Sequence, residues 1–144
     1  MSLAALTAIK TLLSNDAAIY AFFVERYGKA AKHQIGYRRL ANASEYPCVS
    51  YVKVRSARGE LPNDKELIAI VTSLHEAGST DDAFDGITQT AQLEDLILTA
   101  LGDGNIADGV VWADGIADCI TDLGATHPYY QNEIQINVLV RNFE

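Results

Sequence analysis

A cluster of possible metal ligands and acid/base groups lies in the middle of the chain, in the stretch SLHEAGSTDDAFDG. His75 is followed directly by Glu76, as at the start of the HExxH motif of zinc proteases. Three carboxylates, Asp81, Asp82 and Asp85, follow shortly afterwards. Side chains of these types can coordinate a divalent cation or exchange a proton with a substrate.

The spacing of these residues favours a structural interpretation. The second histidine of the protease motif belongs one helical turn after the first, and Ser79 occupies that position. Ser79 and Asp82 instead have the spacing of a capping box, in which both side chains bond to unpaired amides at the start of a helix. Carboxylates in the first helical turn are stabilised there in general. The stretch therefore predicts a junction between a strand and a helix, and a metal or catalytic site stays the less favoured alternative.

Two further acidic patterns are candidate cation sites. The segment DGNIAD resembles a calcium loop, but Ala107 stands where the third oxygen ligand is expected and Asp108 replaces the following glycine. We interpret it as an ordinary loop. Asp114, Asp118 and Asp122 recur every fourth residue, which would place them on one face of a strand or a helix. They could bind a divalent cation, face a basic neighbour or form a solvated surface.

No convincing active site emerges from the remaining residues. His33 and His127 have no neighbour in sequence that suggests a proton relay, and neither a glycine-rich phosphate loop nor a Gly-x-Ser-x-Gly elbow occurs. We therefore expect a protein that is not an enzyme and that needs no cofactor. The two cysteines, Cys48 and Cys119, are far apart and predict buried, reduced thiols of a cytoplasmic protein.

Length and composition indicate one globular domain over residues 1–144. The chain has 49% hydrophobic and 21% charged residues, close to the average for globular proteins. Its longest apolar runs, such as IAIV and VVWA, are much shorter than the roughly 20 residues that cross a bilayer. Lys10 interrupts the apolar N-terminal segment, which we interpret as a helix and not as a signal peptide. We expect no contact with a membrane.

Charge is distributed unevenly along the chain. Residues 25–58 hold eight basic and two acidic residues, whereas residues 59–144 hold two basic and sixteen acidic ones. The net charge of −8 argues against sequence-specific binding of nucleic acid. A basic and an acidic region could dock head to tail between copies of the chain, although an ordinary solvated surface would look the same in sequence. The candidate interface residues are Arg38, Arg39, Arg55, Arg58, Asp114, Asp118 and Asp122.

The hydrophobic pattern predicts helices followed by a mixture of strands and one further helix. Two helices precede Gly28, and strands are predicted in HQIGYRRL, YPCVSYVKVR and KELIAIVTSLHEA. An amphipathic helix from Asp81 to Leu101 is followed by the loop GDGNIADG, by a strand candidate broken at Gly115, and by NEIQINVLVR. This order indicates an α+β domain with a twisted antiparallel sheet and helices packed on one face.

Two segments give the chain a resemblance to a known family. They are EYPCVSYVKVRSARGELPNDKELIAIVTSLHEAGSTDDAFDGI and the closing GIADCITDLGATHPYYQNEIQINVLVRNF. In pattern and order they resemble the tail terminator proteins of long-tailed bacteriophages, and more closely the lambda-type terminators, which are minor tail proteins. The predicted N-terminal helix fits the same family. The resemblance concerns pattern and contains no invariant signature residue.

The resemblance implies a structural protein of the virion tail that is assembled in the host cytoplasm. It implies a homohexameric ring on the last ring of the tail tube, where the ring stops tube polymerisation and offers a surface to the head connector. A head-tail joining protein of the neck is a closely allied alternative. A metal-dependent hydrolase that uses His75, Glu76 and the nearby aspartates is an unrelated one, and it predicts bound metal and an activity that is lost in His75→Ala.

Overall fold

The computed structural model describes residues 3–37, 46–58, 63–75, 85–102, 104–120 and 129–141, without the side chains of residues 63 and 85–87. Its elements, in chain order, are the helices and strands α1 Ala4–Ser14, α2 Ala17–Tyr27, β1 Lys32–Ile35, β2 Cys48–Ala57, β3 Asn63–His75, α3 Asp85–Leu101, β4 Asn105–Ala107, β5 Val110–Ile120 and β6 Tyr129–Arg141. The predicted α+β class is confirmed.

The six strands form one sheet in the order β1-β2-β3-β6-β5-β4. All neighbours are antiparallel except β1 and β2, which run parallel with Lys32 opposite Cys48. The prediction of a purely antiparallel sheet therefore needs this correction. Twelve residues separate Ile35 from Cys48. A connection of that length is long enough for the crossover that parallel strands require, whereas a tight hairpin is not.

The three helices pack on one face of the sheet and enclose the main core with it. β3 and β6 pair over their whole lengths at the centre, and Ile70 lies opposite Ile134. The core contains side chains from all three helices and from the facing positions of the strands: Leu6, Ile9, Leu13, Ile19, Phe23, Val49, Tyr51, Ile68, Ile70, Leu93, Ile97, Leu101, Ile134, Ile136 and Val138. We call the opposite side of the sheet, on which the described residues place no helix, the helix-free face.

Local signals set the limits of the N-terminal helices. Asp16 precedes α2, and its side chain accepts a 3.0 Å hydrogen bond from the amide of Ile19, which fills one of the unpaired donors of the first turn. Gly28 ends the same helix with a positive φ of 71°, a conformation that costs glycine little. α1 has no such side-chain cap, and its orientation follows from the burial of Leu6, Ile9 and Leu13.

α3 confirms the predicted amphipathic helix in part. Leu93, Ile97 and Leu101 are buried, as the pattern requires. Gln89, which the pattern assigns to the polar side, is also buried, and its carbonyl oxygen accepts a 3.5 Å hydrogen bond from the Tyr27 hydroxyl of α2. The described part of the helix begins at Asp85, so the cap predicted at Ser79–Asp82 lies outside the described residues.

The three C-terminal strands, β4, β5 and β6, agree with the sequence predictions to different degrees. The strand predicted in NEIQINVLVR is confirmed as β6, in which Ile134, Ile136 and Val138 are fully buried on one face while Arg141, on the other, is exposed. The loop predicted in GDGNIADG is wrong in part, because Asn105–Ala107 forms β4 and pairs with β5. The break predicted at Gly115 is an irregularity within one continuous strand.

Candidate self-association interface

The structure describes four of the seven candidate interface residues. Arg55 lies on β2, and Arg58 follows directly after it. Asp114 and Asp118 lie on β5. β3 and β6 separate these two strands, so the basic and acidic groups lie on opposite sides of the sheet centre and do not meet within one copy. The remaining candidates, Arg38, Arg39 and Asp122, lie outside the described residues.

β2 has an outer edge that is only partly covered. β1 pairs with Cys48–Tyr51, and the amide of Gly36 then donates a 2.7 Å hydrogen bond to the carbonyl of Tyr51. From Val54 to Ala57, no strand among the described residues lies beside β2 on the side away from β3. We call Val54–Ala57 the open edge of β2. It contains a bulge where the register with β3 shifts between Lys53 and Arg55.

β5 has a matching open edge on the other side of the sheet. β4 pairs with Val110 and Val111 only, and the amide of Trp112 donates a 2.8 Å hydrogen bond to the carbonyl of Gly104. Within the described parts of the chain, nothing pairs with β5 from Ala113 to Ile120 on the side away from β6. We call Ala113–Ile120 the open edge of β5.

A wide bulge shapes the open edge of β5. The pairing with β6 jumps from Trp112 opposite Val138 to Ala117 opposite Ile136, so β5 carries three extra residues there. Gly115 has a φ of 68°, and the carboxylate of Asp114 accepts a 3.0 Å hydrogen bond from the amide of Ile116. The Trp112 indole also donates a 3.1 Å hydrogen bond to the Ile116 carbonyl. Asp114 thus stabilises the bulge.

This bulge corrects the prediction that Asp114 and Asp118, four residues apart, lie on the same face of a regular strand. The alternation of side chains holds only while each residue pairs with one partner, and the three extra residues between Trp112 and Ala117 interrupt it. Asp118 pairs with Gln135 in the regular part of the strand, whereas Asp114 lies inside the bulge. The two carboxylates are therefore held in different backbone environments, which does not suit a shared cation site.

Arg58 is engaged within its own copy. Its guanidinium Nε lies 3.9 Å from a carboxylate oxygen of Asp64, at the end of the β2–β3 hairpin where the two strands are connected. Half of the Arg58 side chain remains exposed, with a relative accessibility of 52%. Exposed ion pairs of this kind contribute only about 0–1 kcal/mol. The contact therefore holds Arg58 weakly and leaves its charge near the surface.

Exposed apolar side chains accompany the charges on both open edges. Val54 is 52% exposed on β2, while Ile116 and Ile120 are 60% and 56% exposed on β5. Sequence reasoning missed these residues as interface candidates, because an apolar residue in a strand pattern is assigned to the core by default. Only the position of a strand within the sheet shows which of its residues are left uncovered.

The helix-free face carries an open groove of about 390 Å³. Ala69 and Val71 of β3 line it, and they are almost fully buried although the described residues place no helix on this side. Tyr37, Val52 and Ile120 are among the other lining residues. In the sequence, the uninterrupted apolar run LIAIV indicates that β3 is buried on both faces, since a half-buried strand would alternate apolar and polar residues.

His75, the first residue of the metal-site hypothesis, lies in an aromatic cluster at the end of β3. Its ring centroid is 5.1 Å from that of Tyr129 and 6.3 Å from that of Tyr46. The two tyrosine rings are themselves 5.1 Å apart. Among the described residues no group of three or more histidine, cysteine, aspartate or glutamate side chains could hold a metal ion. Glu76, Asp81 and Asp82 lie outside the described residues.

The cysteines are both free, but only one is buried. Cys48 is buried at the start of β2, whereas Cys119 is exposed on β5, which corrects the prediction of two buried thiols. Partial burial of the sulfur and a hydrogen bond with Glu94 of α3 raise the pKa of the Cys119 thiol to about 11. The thiol therefore stays protonated near neutral pH and is a poor nucleophile.

The helices give no sign of a membrane-spanning segment. None of the described helices combines the length and the apolar character that a bilayer crossing requires. The longest, α3, has 17 residues and is amphipathic.

Comparisons with known proteins identify the fold but no family. No protein-family model and no curated protein matches the chain. One solved structure, whose name states no function, aligns with a TM-score of 0.53 at 13% sequence identity. The alignment covers 100% of this chain and 99% of that chain. At this identity the similarity shows a shared fold alone, extending over the full length of both chains.

Proposed function

We propose that this protein is a tail terminator of a long-tailed bacteriophage. In this role it forms a ring on the end of the tail tube, stops tube polymerisation and provides the surface to which the head attaches. One observation carries the proposal. The two segments that resemble the lambda-type terminators form adjacent elements of one sheet, with β2, β3 and β6 side by side at its centre and β5 next to them.

The distribution of charge supports the same proposal. The basic Arg55 and Arg58 lie at one side of the sheet, and the acidic Asp114 and Asp118 lie at the other. Oppositely charged surfaces at two ends of a subunit favour head-to-tail contacts, which close into a ring when the rotation between subunits permits. A ring-forming structural role in the virion tail also needs no catalytic centre, metal or cofactor.

Tail tube assembly provides the test. Tubes polymerised from the cognate tail tube protein are mixed with the purified protein and viewed by negative-stain electron microscopy. We expect ring-shaped densities at tube ends and tubes that no longer lengthen when more tube protein is added. Native mass spectrometry of the ring should give a mass of six subunits.

A parallel binding assay separates the allied alternative. A head-tail joining protein of the neck would bind purified capsid portals while leaving tube ends bare. Tube ends that remain bare and continue to grow at saturating protein would contradict the terminator proposal, whatever the oligomeric state of the protein.

A further inference from the structure

We propose that β1 of one copy of the chain pairs with the Ala117–Ile120 segment of β5 in a second copy, in a head-to-tail contact. Among the described residues no strand lies beside β1 on its side away from β2, and we call this side of Lys32–Ile35 the β1 edge. Ala117–Ile120 is the part of the open edge of β5 that follows the bulge, and we call it the distal β5 edge. An exposed strand edge is a ready template for pairing with another chain.

The backbone of β1 presents hydrogen-bonding groups to a further strand at Ile35. The amides of Lys32 and Gly36 donate hydrogen bonds of 3.0 and 2.7 Å toward β2, to the carbonyls of Pro47 and Tyr51. Backbone groups alternate in direction along a strand, so the amide and the carbonyl of Ile35 point away from β2. The Ile35 side chain is also 40% exposed. The β1 edge can therefore accept a neighbouring strand at this residue.

The distal β5 edge presents the same groups at Cys119. The amide of Arg141 in β6 donates a 2.8 Å hydrogen bond to the carbonyl of Gly109, on the β5 side. β6 pairs with β3 without a shift of register, so alternation along β6 makes the backbone groups of Gln135 face β5 as well. Its partner Asp118 therefore faces β6. The amide and the carbonyl of the next residue, Cys119, point away from β6.

Ile35 and Cys119 lie at the same level of the sheet. The registers connect them through one row of paired residues, which runs from Ile35 to Tyr51, Ile70, Ile134 and Cys119. Rotation about an axis along the strands keeps this level. A neighbour placed by such a rotation therefore presents Cys119 beside Ile35.

The strand directions suit an antiparallel pair. β1 runs parallel to β2, and three successive antiparallel pairings connect β2 to β5 through β3 and β6. β1 and β5 therefore run in opposite directions within one copy, and the same rotation preserves these directions. In the proposed contact Ile35 and Cys119 form a hydrogen-bonded antiparallel pair. The contact would also cover part of the Ile120 side chain, which is 56% exposed.

Basic side chains flank the β1 edge. Lys32 is exposed on the strand itself. Burial lowers the pKa of His33, and the ammonium of Lys10 lowers it further, so Lys10 lies close to β1. Since Lys10 belongs to α1, its charge lies on the helix side of the β1 edge.

Acidic side chains flank the distal β5 edge. Asp118 belongs to the segment itself. Burial, a hydrogen bond with Glu94 and the charges of nearby carboxylates such as Asp95 raise the pKa of the Cys119 thiol. Glu94 and Asp95 belong to α3, so their charges also lie on the helix side. Two β1 edges, or two distal β5 edges, would bring like charges together, whereas one of each brings unlike charges together. The charges therefore select a head-to-tail contact over a two-fold one.

This contact deepens the proposed function by giving the ring its subunit contact, and it rests on that function only for its biological setting. Self-association can be measured without tail tubes. The first test is the variant Ile35→Cys, which places a thiol opposite the exposed Cys119 of a neighbour. The Cα atoms of a hydrogen-bonded antiparallel pair are about 5.5 Å apart. A disulfide can span this distance. We expect oxidation with diamide to give covalent oligomers of this variant on a non-reducing gel.

Three controls accompany the cross-linking. The wild type, in which Cys48 is buried and Cys119 exposed, should give no covalent oligomers. The double variant Ile35→Cys/Cys119→Ser should give none either, which excludes links between two copies of the substituted position. Lys65→Cys places a thiol on an exposed position of β3 that is level with Ala57, near the other end of the sheet, and it should remain monomeric on the gel.

The second test reverses one charge beside each edge in separate variants, Lys10→Glu and Asp95→Lys. Sedimentation velocity and native mass spectrometry follow their association. We expect each variant alone to associate at least about tenfold more weakly than the wild type, because like charges then meet at every contact. Lys65→Glu makes the same change of charge as Lys10→Glu on the central strand β3 and should associate like the wild type.

A mixture of the two reversed variants is the decisive arm of this test. The β1 edge of the Lys10→Glu variant is then flanked by a new acid and meets a β5 edge flanked by the new base of the Asp95→Lys variant. At the next contact the unaltered Lys10 meets the unaltered Asp95. We expect association to return as complexes in which the two variants alternate.

The outcomes are separable from those of the tube assay. Covalent oligomers that persist without Cys119, or association that survives both charge reversals, would overturn the pairing of β1 with β5 even if the protein caps tubes. A wild type that stays monomeric at every accessible concentration, with no cross-linking of Ile35→Cys, would overturn it as well. Cross-linked rings that leave tube ends bare would support the pairing and remove the terminator function.

Discussion

The imidazole Nδ1 of His33 lies 2.7 Å from the hydroxyl oxygen of Tyr51, and the two rings are stacked at an interplanar angle of 16°. This contact joins the short β1 to the central part of the sheet through side chains as well as backbone. Burial, with a smaller effect of the nearby Lys10 ammonium, lowers the pKa of His33 to about 4. The ring is therefore neutral at pH 7, and the Tyr51 hydroxyl can donate its proton to Nδ1.

We expect the stability of the fold to fall as the pH drops from about 6.5 to about 4. In this window the unfolded chain protonates His33 while the folded chain does not, so acid favours unfolding. The loss should be on the order of 1 kcal/mol, because solvent screens the part of the ring that stays exposed. Chemical denaturation at a series of pH values measures it, with His33→Gln as the variant that cannot titrate. Equal pH dependence in both proteins would contradict this prediction.

The centre of the sheet should be the most sensitive part of the core. Ile134 of β6 is fully buried opposite Ile70 of β3, so Ile134→Ala removes buried contacts and leaves a cavity. We expect a loss of about 2–5 kcal/mol in the free energy of unfolding. Ile116→Ala is the same chemical change at a position that is 60% exposed, and it should cost less than about 0.5 kcal/mol. Similar losses at the two positions would argue against the assigned core.

The β5 bulge depends on the backbone conformation of Gly115. Its φ of 68° strains any residue with a Cβ, although a Cβ built there meets no atom within 4 Å. Gly115→Ala should therefore cost about 1–2 kcal/mol through backbone strain alone. Gly115→Asn should cost less, because asparagine tolerates the left-handed region better. Urea unfolding distinguishes the two variants, and a neutral Gly115→Ala would show that the bulge adopts another conformation.

The cap of α2 gives a prediction that is independent of the sheet. Removing the carboxylate in Asp16→Ala leaves the Ile19 amide without its 3.0 Å acceptor. We expect the free energy of unfolding to drop by about 1 kcal/mol. Asp16→Asn keeps a side-chain oxygen in the same place and should stay within about 0.5 kcal/mol of the wild type. If thermal unfolding shows equal losses for both variants, the hydrogen bond is not the source of the effect.

Much of the fold could be predicted from local patterns. The alternation of Ile134, Ile136 and Val138 identified β6 and its buried face, because neighbouring side chains of a strand point to opposite sides. The spacing of Leu3, Leu6, Ile9, Leu12 and Leu13 predicted α1, in which Leu6, Ile9 and Leu13 are buried while Leu3, just before the helix, is exposed. A strand was predicted where β1 lies, but its parallel direction was not, since that depends on its pairing with β2 across a long connection. The short β4 was not predicted.

The candidate interface, like the fold, could be predicted from the sequence only in part. Sequence alone established the opposite charges of residues 25–58 and 59–144 and the presence of Arg55 and Asp118 as candidates, because composition and position in the chain suffice for both. Only the tertiary structure decided that β2 and β5 lie on opposite sides of the sheet centre, each with a segment that pairs on one side only among the described residues. Strand order is set by long-range pairing and packing, and no local pattern of residues records it.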